Sequence, residues 1–132
     1  MGIYRVDLSL LKVDEDLVTF YEDEPFTGVA SANWPNGQLG YERFFRAGIP
    51  HGWSREWSED GRLLEEGLLI EGALRQRRQY HENGVMSSEL FQSGLGIVYR
   101  RRGWDDMGQL VEDFTLEGYE NCNWIASEDD RL

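Results

Sequence analysis

Residues 49–72 read IPHGWSREWSEDGRLLEEGLLIEG, and this stretch holds one complete unit of a repeat. At its centre, Asp60-Gly61 separates two segments that are rich in aromatic and aliphatic residues. Asp-Gly favours a type I′ turn because both central residues of that turn need a positive φ. The partial alternation of apolar and polar residues on both sides is typical of half-buried strands. The stretch therefore predicts a β-hairpin with its tip at Asp60-Gly61.

The same unit recurs along the chain at intervals of 24, 23 and 24 residues, which indicates a repeat architecture. The tip glycines are Gly37, Gly61, Gly84 and Gly108. A large apolar residue follows each of them two positions later, and an acid follows five positions later. A second set of glycines closes the units, namely Gly48, Gly72, Gly94 and Gly118. Asn36-Gly37 and Asn83-Gly84 also favour type I′ turns, whereas Met107-Gly108 suits a longer or bulged loop.

A single hairpin cannot bury a face of its own, so successive hairpins must share a continuous sheet. We therefore predict an all-β fold of about four tandem antiparallel β-hairpin repeats, forming an elongated or gently rolled meander sheet. The 132 residues suffice for a single domain. Its expected parts are an N-terminal cap with a degenerate leading repeat (1–24), the hairpin repeats (25–118) and an acidic C-terminal tail or cap (119–132).

Both ends of such a sheet need protection, because an open edge strand invites pairing with another chain. The alternation of Val6, Leu8 and Leu10 with polar residues predicts a strand that caps the first edge. The apolar residues of the tail that we expect to cover the last edge are Tyr119, Trp124 and Ile125.

A two-residue turn fixes which residues face each other in each hairpin. The predicted opposite-charge pairs are Arg55 with Glu66, Arg78 with Glu89, and Arg102 with Asp113. The predicted partners of the aromatic residues are Leu64 for Trp57, Ser87 for Tyr80, and Val111 for Trp104. Residues two apart share a face of a strand, so the arginines should line up beside an aromatic stripe of Trp57, Tyr80 and Trp104. This arrangement either stiffens the sheet through ion pairs and cation–π contacts or presents a docking face.

Further arginines stand at equivalent positions of neighbouring units, where the regular glycine is missing. They are Arg75, Arg77 and Arg78 in one unit and Arg100, Arg101 and Arg102 in the next. Clustered like charges repel one another unless they are paired, so we expect a small basic patch with an anionic counterpart. That counterpart is either an acidic partner surface, a phosphate-bearing headgroup or RNA, or else the acidic tail at 117–130.

The net charge of −12, from 25 acids and 13 bases, disfavours nonspecific binding to nucleic acid and to anionic membranes. No run reaches the ~18 apolar residues of a membrane span, and the N-terminus lacks the small-residue cleavage site of a signal peptide. The single cysteine, Cys122, cannot form an internal disulfide. These features predict a cytoplasmic protein.

The histidines, the cysteine and the paired glycines do not form a catalytic or metal-binding pattern. His51 and His81 are the only histidines, and neither has a Cys or a second His at ligand spacing. Cys122 has no base beside it in sequence, and Gly94-Leu95-Gly96 lacks the third glycine of a dinucleotide-binding loop. The expectation is a chain that is not an enzyme and that needs no metal or cofactor.

The segments EPFTG, WPNGQL and IPHGWSREWSEDGRLLEEG give residues 18–118 a resemblance to MORN-repeat variants, and more closely to the YwqK-type antitoxin family. The resemblance implies a cytoplasmic bacterial protein that acts by binding a protein partner, a toxin that it neutralises. The alternative is a MORN-type membrane-surface or scaffolding adaptor that binds acidic lipid headgroups. The expected partner-binding residues are Arg55, Trp57, Arg75, Arg77, Arg78, Tyr80, Arg100, Arg101, Arg102 and Trp104.

Overall fold

The computed structural model describes residues 4–125, and these residues form twelve strands and one short 3-10 helix, Leu8–Leu10. The strands are β1 (Arg5–Asp7), β2 (Lys12–Val13), β3 (Thr19–Tyr21), β4 (Glu24–Pro25), β5 (Gly28–Asn33), β6 (Leu39–Arg46), β7 (Ile49–Trp57), β8 (Leu63–Ile70), β9 (Ala73–Tyr80), β10 (Met86–Gln92), β11 (Val98–Trp104) and β12 (Leu110–Thr115).

The predicted all-β meander is confirmed. Nine strands form one sheet in the order β1-β5-β6-β7-β8-β9-β10-β11-β12, in which every pair from β5 to β12 is antiparallel and consecutive in sequence. The sheet does not close into a barrel. The four repeats are the hairpins β5–β6, β7–β8, β9–β10 and β11–β12, so each repeat adds two strands to the same sheet.

The tips of the four hairpins lie where the sequence predicts them, but their turn type differs from the prediction. At the second tip, Gly61 N–H donates to Ser58 O at 3.0 Å and Ser58 N–H donates to Arg62 O at 2.9 Å. Gly61 has a φ of 88°, whereas Asp60 is not among the residues with positive φ. This is a three-residue loop, in which a type I turn is followed by a left-handed glycine. Gly108 N–H bonds to Asp105 O in the same way, so the fourth tip is not the exception that Met107 suggests.

The asparagines at the tips serve a purpose other than a positive φ. Asn36 accepts a hydrogen bond from Gln38 N–H on its side-chain oxygen and donates from its amide nitrogen to Glu59 O of the next tip, at 2.9 Å. Asn83 repeats the outward bond with Asp106 O at 2.7 Å. The asparagine side chains therefore join one hairpin tip to the next, in addition to stabilising the turn.

Type I′ turns do occur, at the opposite ends of the strands. Ala47-Gly48 joins β6 to β7 and Glu71-Gly72 joins β8 to β9, and all four residues have positive φ. The next connection, from β10 to β11, is again a three-residue loop, in which Gly96 N–H bonds to Ser93 O. The positive φ there belongs to Gly96 (85°) rather than to the expected Gly94.

The predicted register is confirmed for the charged residues and wrong by one for the aromatic residues. Arg55 faces Glu66, Arg78 faces Glu89, and Arg102 faces Asp113. The partners of the aromatic residues are Leu63 for Trp57, Met86 for Tyr80, and Leu110 for Trp104. The predicted partners Leu64, Ser87 and Val111 are the residues left unpaired at a β-bulge in each hairpin.

The first edge of the sheet is covered by the N-terminal segment, but by a shorter strand than the alternation predicts. Only β1 pairs with the sheet, in parallel with β5, and the chain then turns through the 3-10 helix. Strands β2, β3 and β4 form a separate three-stranded sheet. A buried apolar cluster joins this end of the nine-stranded sheet to the chain that follows β4. It consists of Val6, Phe26, Ala30 and Phe45.

Candidate functional site

One row of charged side chains crosses the nine-stranded sheet at right angles to its strands. Strand pairing and side-chain alternation place the members on one face, which we call the charged-row face. Opposite charges alternate along this charged row, which consists of Arg5, Glu42, Arg55, Glu66, Arg78, Glu89, Arg102 and Asp113. The row is interrupted at β5, where Ser31 stands opposite Glu42, and Arg5 of β1 reaches Glu42 across that strand.

Two glutamates of the charged row each hold two arginines. Glu89 accepts from Arg78 at 2.8 Å and from Arg102 at 2.7 Å. Glu42 accepts from Arg5 at 2.7 Å and from Arg55 at 3.5 Å. Arg102 therefore pairs with Glu89 of β10 rather than with Asp113 of β12, the partner expected from the register.

These ion pairs lie partly inside the protein. The side chain of Glu89 is 4% exposed, and those of Arg78 and Arg102 are 24% and 29% exposed. A buried carboxylate needs both its charge and its lone pairs matched, and two guanidinium groups provide this. The contacts favour the interpretation in which these arginines stiffen the sheet.

The aromatic stripe of Trp57, Tyr80 and Trp104 lies on the same face, beside the charged row. The Tyr80 hydroxyl donates to Glu66 at 2.8 Å, and burial together with this contact raises the pKa of Tyr80 to about 12. The Arg102 guanidinium lies 5.4 Å from the centre of the Trp104 ring. All three aromatic side chains are half-buried, so each keeps a part of its ring at the surface.

The predicted arginine patch does not form as one surface, because sequence neighbours in a strand point to opposite faces. Arg78, Arg100 and Arg102 lie on the charged-row face. Arg77 and Arg101 lie on the opposite face, where both stand beside Leu90. The arginines are therefore divided between the two faces, and the prediction that they form one patch is wrong.

Two arginines of the predicted patch, Arg75 and Arg100, are bound to backbone oxygens. Arg75 donates to Gln92 O at 3.1 Å. Arg100 donates to Glu120 O at 3.2 Å, a carbonyl of the acidic tail rather than a carboxylate. The tail carboxylates at 128–130, the other expected counterpart, lie outside the described residues.

The C-terminal tail folds back over the charged-row face instead of covering the last edge. Trp124 lies 5.5 Å from the ring of Trp53 and 6.3 Å from that of Phe91, and the Arg78 guanidinium sits 4.0 Å from its ring centre. Gln76 of β9 bonds to the tail backbone through both ends of its side-chain amide. The tail thus covers the middle of this face, and the sequence prediction of an edge cover is wrong for Trp124.

The histidines and the cysteine occupy separate places. His81 contacts Trp104 O of the next hairpin tip at 2.7 Å, while His51 lies in β7 and Cys122 lies in the tail. Within residues 4–125, no three His, Cys, Asp or Glu side chains converge in a way that could hold a metal ion.

His51 should make the stability of the protein depend on pH. Its Nδ1 accepts from Glu71 N–H at 2.9 Å, which requires the neutral ring, and burial together with nearby Arg46 lowers the pKa of His51 below its usual 6.5. The unfolded chain then binds a proton more readily than the folded one, so stability should fall as the pH drops through and below about 6.5.

The measurement is urea unfolding at several pH values between about 7.5 and 5.5, for the wild type and for His51→Asn. The side-chain oxygen of Asn can replace Nδ1 as acceptor but does not titrate. The wild type should lose more stability than the variant over this range. Equal losses would show that protonation of His51 costs the folded state nothing.

No protein-family model matches this chain, and no curated protein shows significant similarity to it. Among residues 4–125, no helix has the length and apolar character that crossing a membrane requires.

Proposed function

We propose that this chain is a non-catalytic protein-binding module of the antitoxin or immunity type, which docks its partner on the aromatic stripe. The observation that carries the proposal is the alignment of Trp57, Tyr80 and Trp104 on one face of the sheet, across β7, β9 and β11. The antitoxin type rests on the resemblance of the repeat segments, and the location of the site rests on the stripe.

The stripe has the chemistry that the centres of protein interfaces use. Tryptophan, tyrosine and arginine are the residues most enriched at interface hot spots. The alternate strands β7, β9 and β11 hold the three aromatic side chains in line, and the bond from Tyr80 to Glu66 fixes one of them further. Rigid groups lose little conformational freedom when a partner binds, so their contact area contributes more fully to affinity.

The charged row supports this surface without being its main contact. Arg102 is held by Glu89 and lies against Trp104, so its position is set before any partner arrives. Its side chain remains 29% exposed, which leaves donors for a carboxylate at the rim of an interface.

The test is the double substitution Trp57→Ala with Trp104→Ala, assayed for binding to the proteins that the adjacent reading frames encode, as the candidates for the toxin. Each hot spot should weaken binding by about 30-fold, while the variant keeps its β-sheet circular dichroism. Tyr41→Ala is the matched control, because Tyr41 is also a half-buried aromatic residue of the sheet but lies on the opposite face.

Two results would contradict the proposal. Full binding by the folded double variant would place the interface elsewhere on the molecule. Equal weakening by Tyr41→Ala would show that the effect comes from the sheet as a whole and not from the stripe. A folded variant that has lost binding, next to an unaffected control, supports it.

A further inference from the structure

The last strand of the sheet, β12, is an open edge with exposed apolar side chains. It pairs with β11 on one side, and no strand among residues 4–125 pairs with its other side. Leu110, Val111 and Phe114 are 52%, 68% and 41% exposed. An edge strand of this length offers a row of backbone donors and acceptors to another extended chain.

The hydrogen-bond pattern identifies which backbone groups point outward. Leu116 N–H donates to Tyr99 O at 2.7 Å, which puts the backbone of residue 116 on the β11 side. Since the bonding side alternates along an antiparallel strand, Glu112 and Phe114 also face β11. Asp113 and Thr115 therefore direct their N–H and C=O groups away from the sheet.

The charged row ends on an acid at this edge. Glu89 holds an arginine from the strand on either side, and Glu42 holds Arg55 of β7 and Arg5 of β1. Asp113 is the last member of the row, and Arg102 is turned toward Glu89. No basic group of residues 4–125 lies within ion-pair distance of the Asp113 carboxylate. If another strand were added beside β12, about 4.8 Å further on, a basic residue opposite Asp113 would continue the alternation of charge.

The β12 strand of a second copy does not supply that residue. The segment 105–125 has no Lys or Arg and six acids, Asp105, Asp106, Glu112, Asp113, Glu117 and Glu120. Antiparallel pairing of two β12 strands about a two-fold axis would set Asp113 against Asp113, or Glu112 against Glu112, of the other copy. Like charges directly opposite each other destabilise a strand pair.

We infer that the β12 edge binds an extended segment of a basic partner protein by strand addition, with an Arg or Lys of the partner opposite Asp113. Backbone bonds to Asp113 and Thr115 supply the attachment, and the ion pair selects the register. An apolar residue beside that base lies over Phe114 on the other face. This inference does not depend on the aromatic stripe, which is on a different part of the sheet.

The probe is the capped peptide Arg-Val-Arg-Val-Arg-Val, which places its arginines on one face of a strand. The control is Arg-Arg-Arg-Val-Val-Val, with the same charge and composition but no alternation. The acidic chain attracts both peptides over a distance, so a difference between them reports on strand pairing. We expect the alternating peptide to bind about tenfold more tightly.

Amide hydrogen exchange gives the second readout. Binding of the alternating peptide should slow the exchange of Asp113 and Thr115, whose N–H groups point outward. Glu112 and Phe114 are already bonded to β11 and should change little. This two-residue alternation would not arise from nonspecific attraction between a basic peptide and an acidic protein.

The substitution Asp113→Asn should weaken binding of the alternating peptide by about tenfold, while its matched control Glu117→Gln should not. Glu117 is an exposed acid just beyond β12. Equal binding of the two peptides without alternating protection would overturn the inference and reduce it to charge attraction. No binding at millimolar peptide would also overturn it, and the acids of β12 would then serve only to keep such edges apart.

Discussion

Replacing Glu89 with glutamine should lower the free energy of unfolding by about 3 kcal/mol, the largest effect expected of any single charge among residues 4–125. Glutamine has nearly the same size, so the packing survives and only the charge is lost. Arg78 and Arg102 would both remain in place, partly buried, without the carboxylate that they share at 2.8 and 2.7 Å. Removing one partner of a buried ion pair costs much more than the pair itself contributes, because it leaves an uncompensated charge.

The matched control is Glu112→Gln. Glu112 accepts from Arg101 at 2.9 Å, nearly the same distance, but both side chains are 52% exposed. Water replaces the lost contact there, so the change should stay within about 1 kcal/mol. Urea unfolding of the two variants beside the wild type measures the difference. Equal changes would show that burial of the charged row does not matter to stability.

The register of the hairpins was predictable from the sequence even though the turn was not. A type I′ turn at Asp60-Gly61 implies that Arg55 faces Glu66. The three-residue loop shifts the pairing by one, so that Trp57 faces Leu63, and the bulge at Leu64 shifts it back. Beyond the bulge the two geometries coincide, which is why the charged pairs were predicted correctly and the aromatic partners were not.

The division of the predicted arginine patch between the two faces of the sheet could have been predicted from the sequence. Arg77 and Arg78 are neighbours in a predicted strand, and a period of two places them on opposite faces. Aligning the repeats at 24 residues hides this, because the alignment collects residues by position in the unit and ignores the face on which they lie. The aromatic stripe was predicted well because its members occupy one slot of the unit and share one face.

The position of the tail was not predictable in the same way. Residues 119–132 lie outside the repeat, so no periodicity gives them a register. Trp124 docks on Trp53 and Phe91, which are far from it in sequence and become a single apolar surface only when β7 and β10 are placed in the sheet. Such docking depends on the surface that the finished sheet offers and not on a local pattern.

Replacing Trp53 with alanine should destabilise the protein by about 3–5 kcal/mol, because this large side chain is only 4% exposed. It lies between the sheet and the tail, with the Arg55 guanidinium 5.8 Å from its ring centre and Trp124 at 5.5 Å. Part of the loss should come from release of the tail. A double-mutant cycle with Trp124→Ala isolates that part, and the aromatic pair should show a coupling of about 0.5–1.5 kcal/mol.

The control for this cycle is Trp53→Ala combined with Trp34→Ala. Trp34 is 37% exposed and bonds to Trp57 O at a hairpin tip, away from the tail. The effects of Trp53 and Trp34 should add within about 0.5 kcal/mol, since no contact joins the two side chains. If Trp53 and Trp124 were equally additive, the contact between these two rings would contribute nothing to stability. The tail would then be held on the charged-row face by its contacts with Gln76, Phe91 and Arg78.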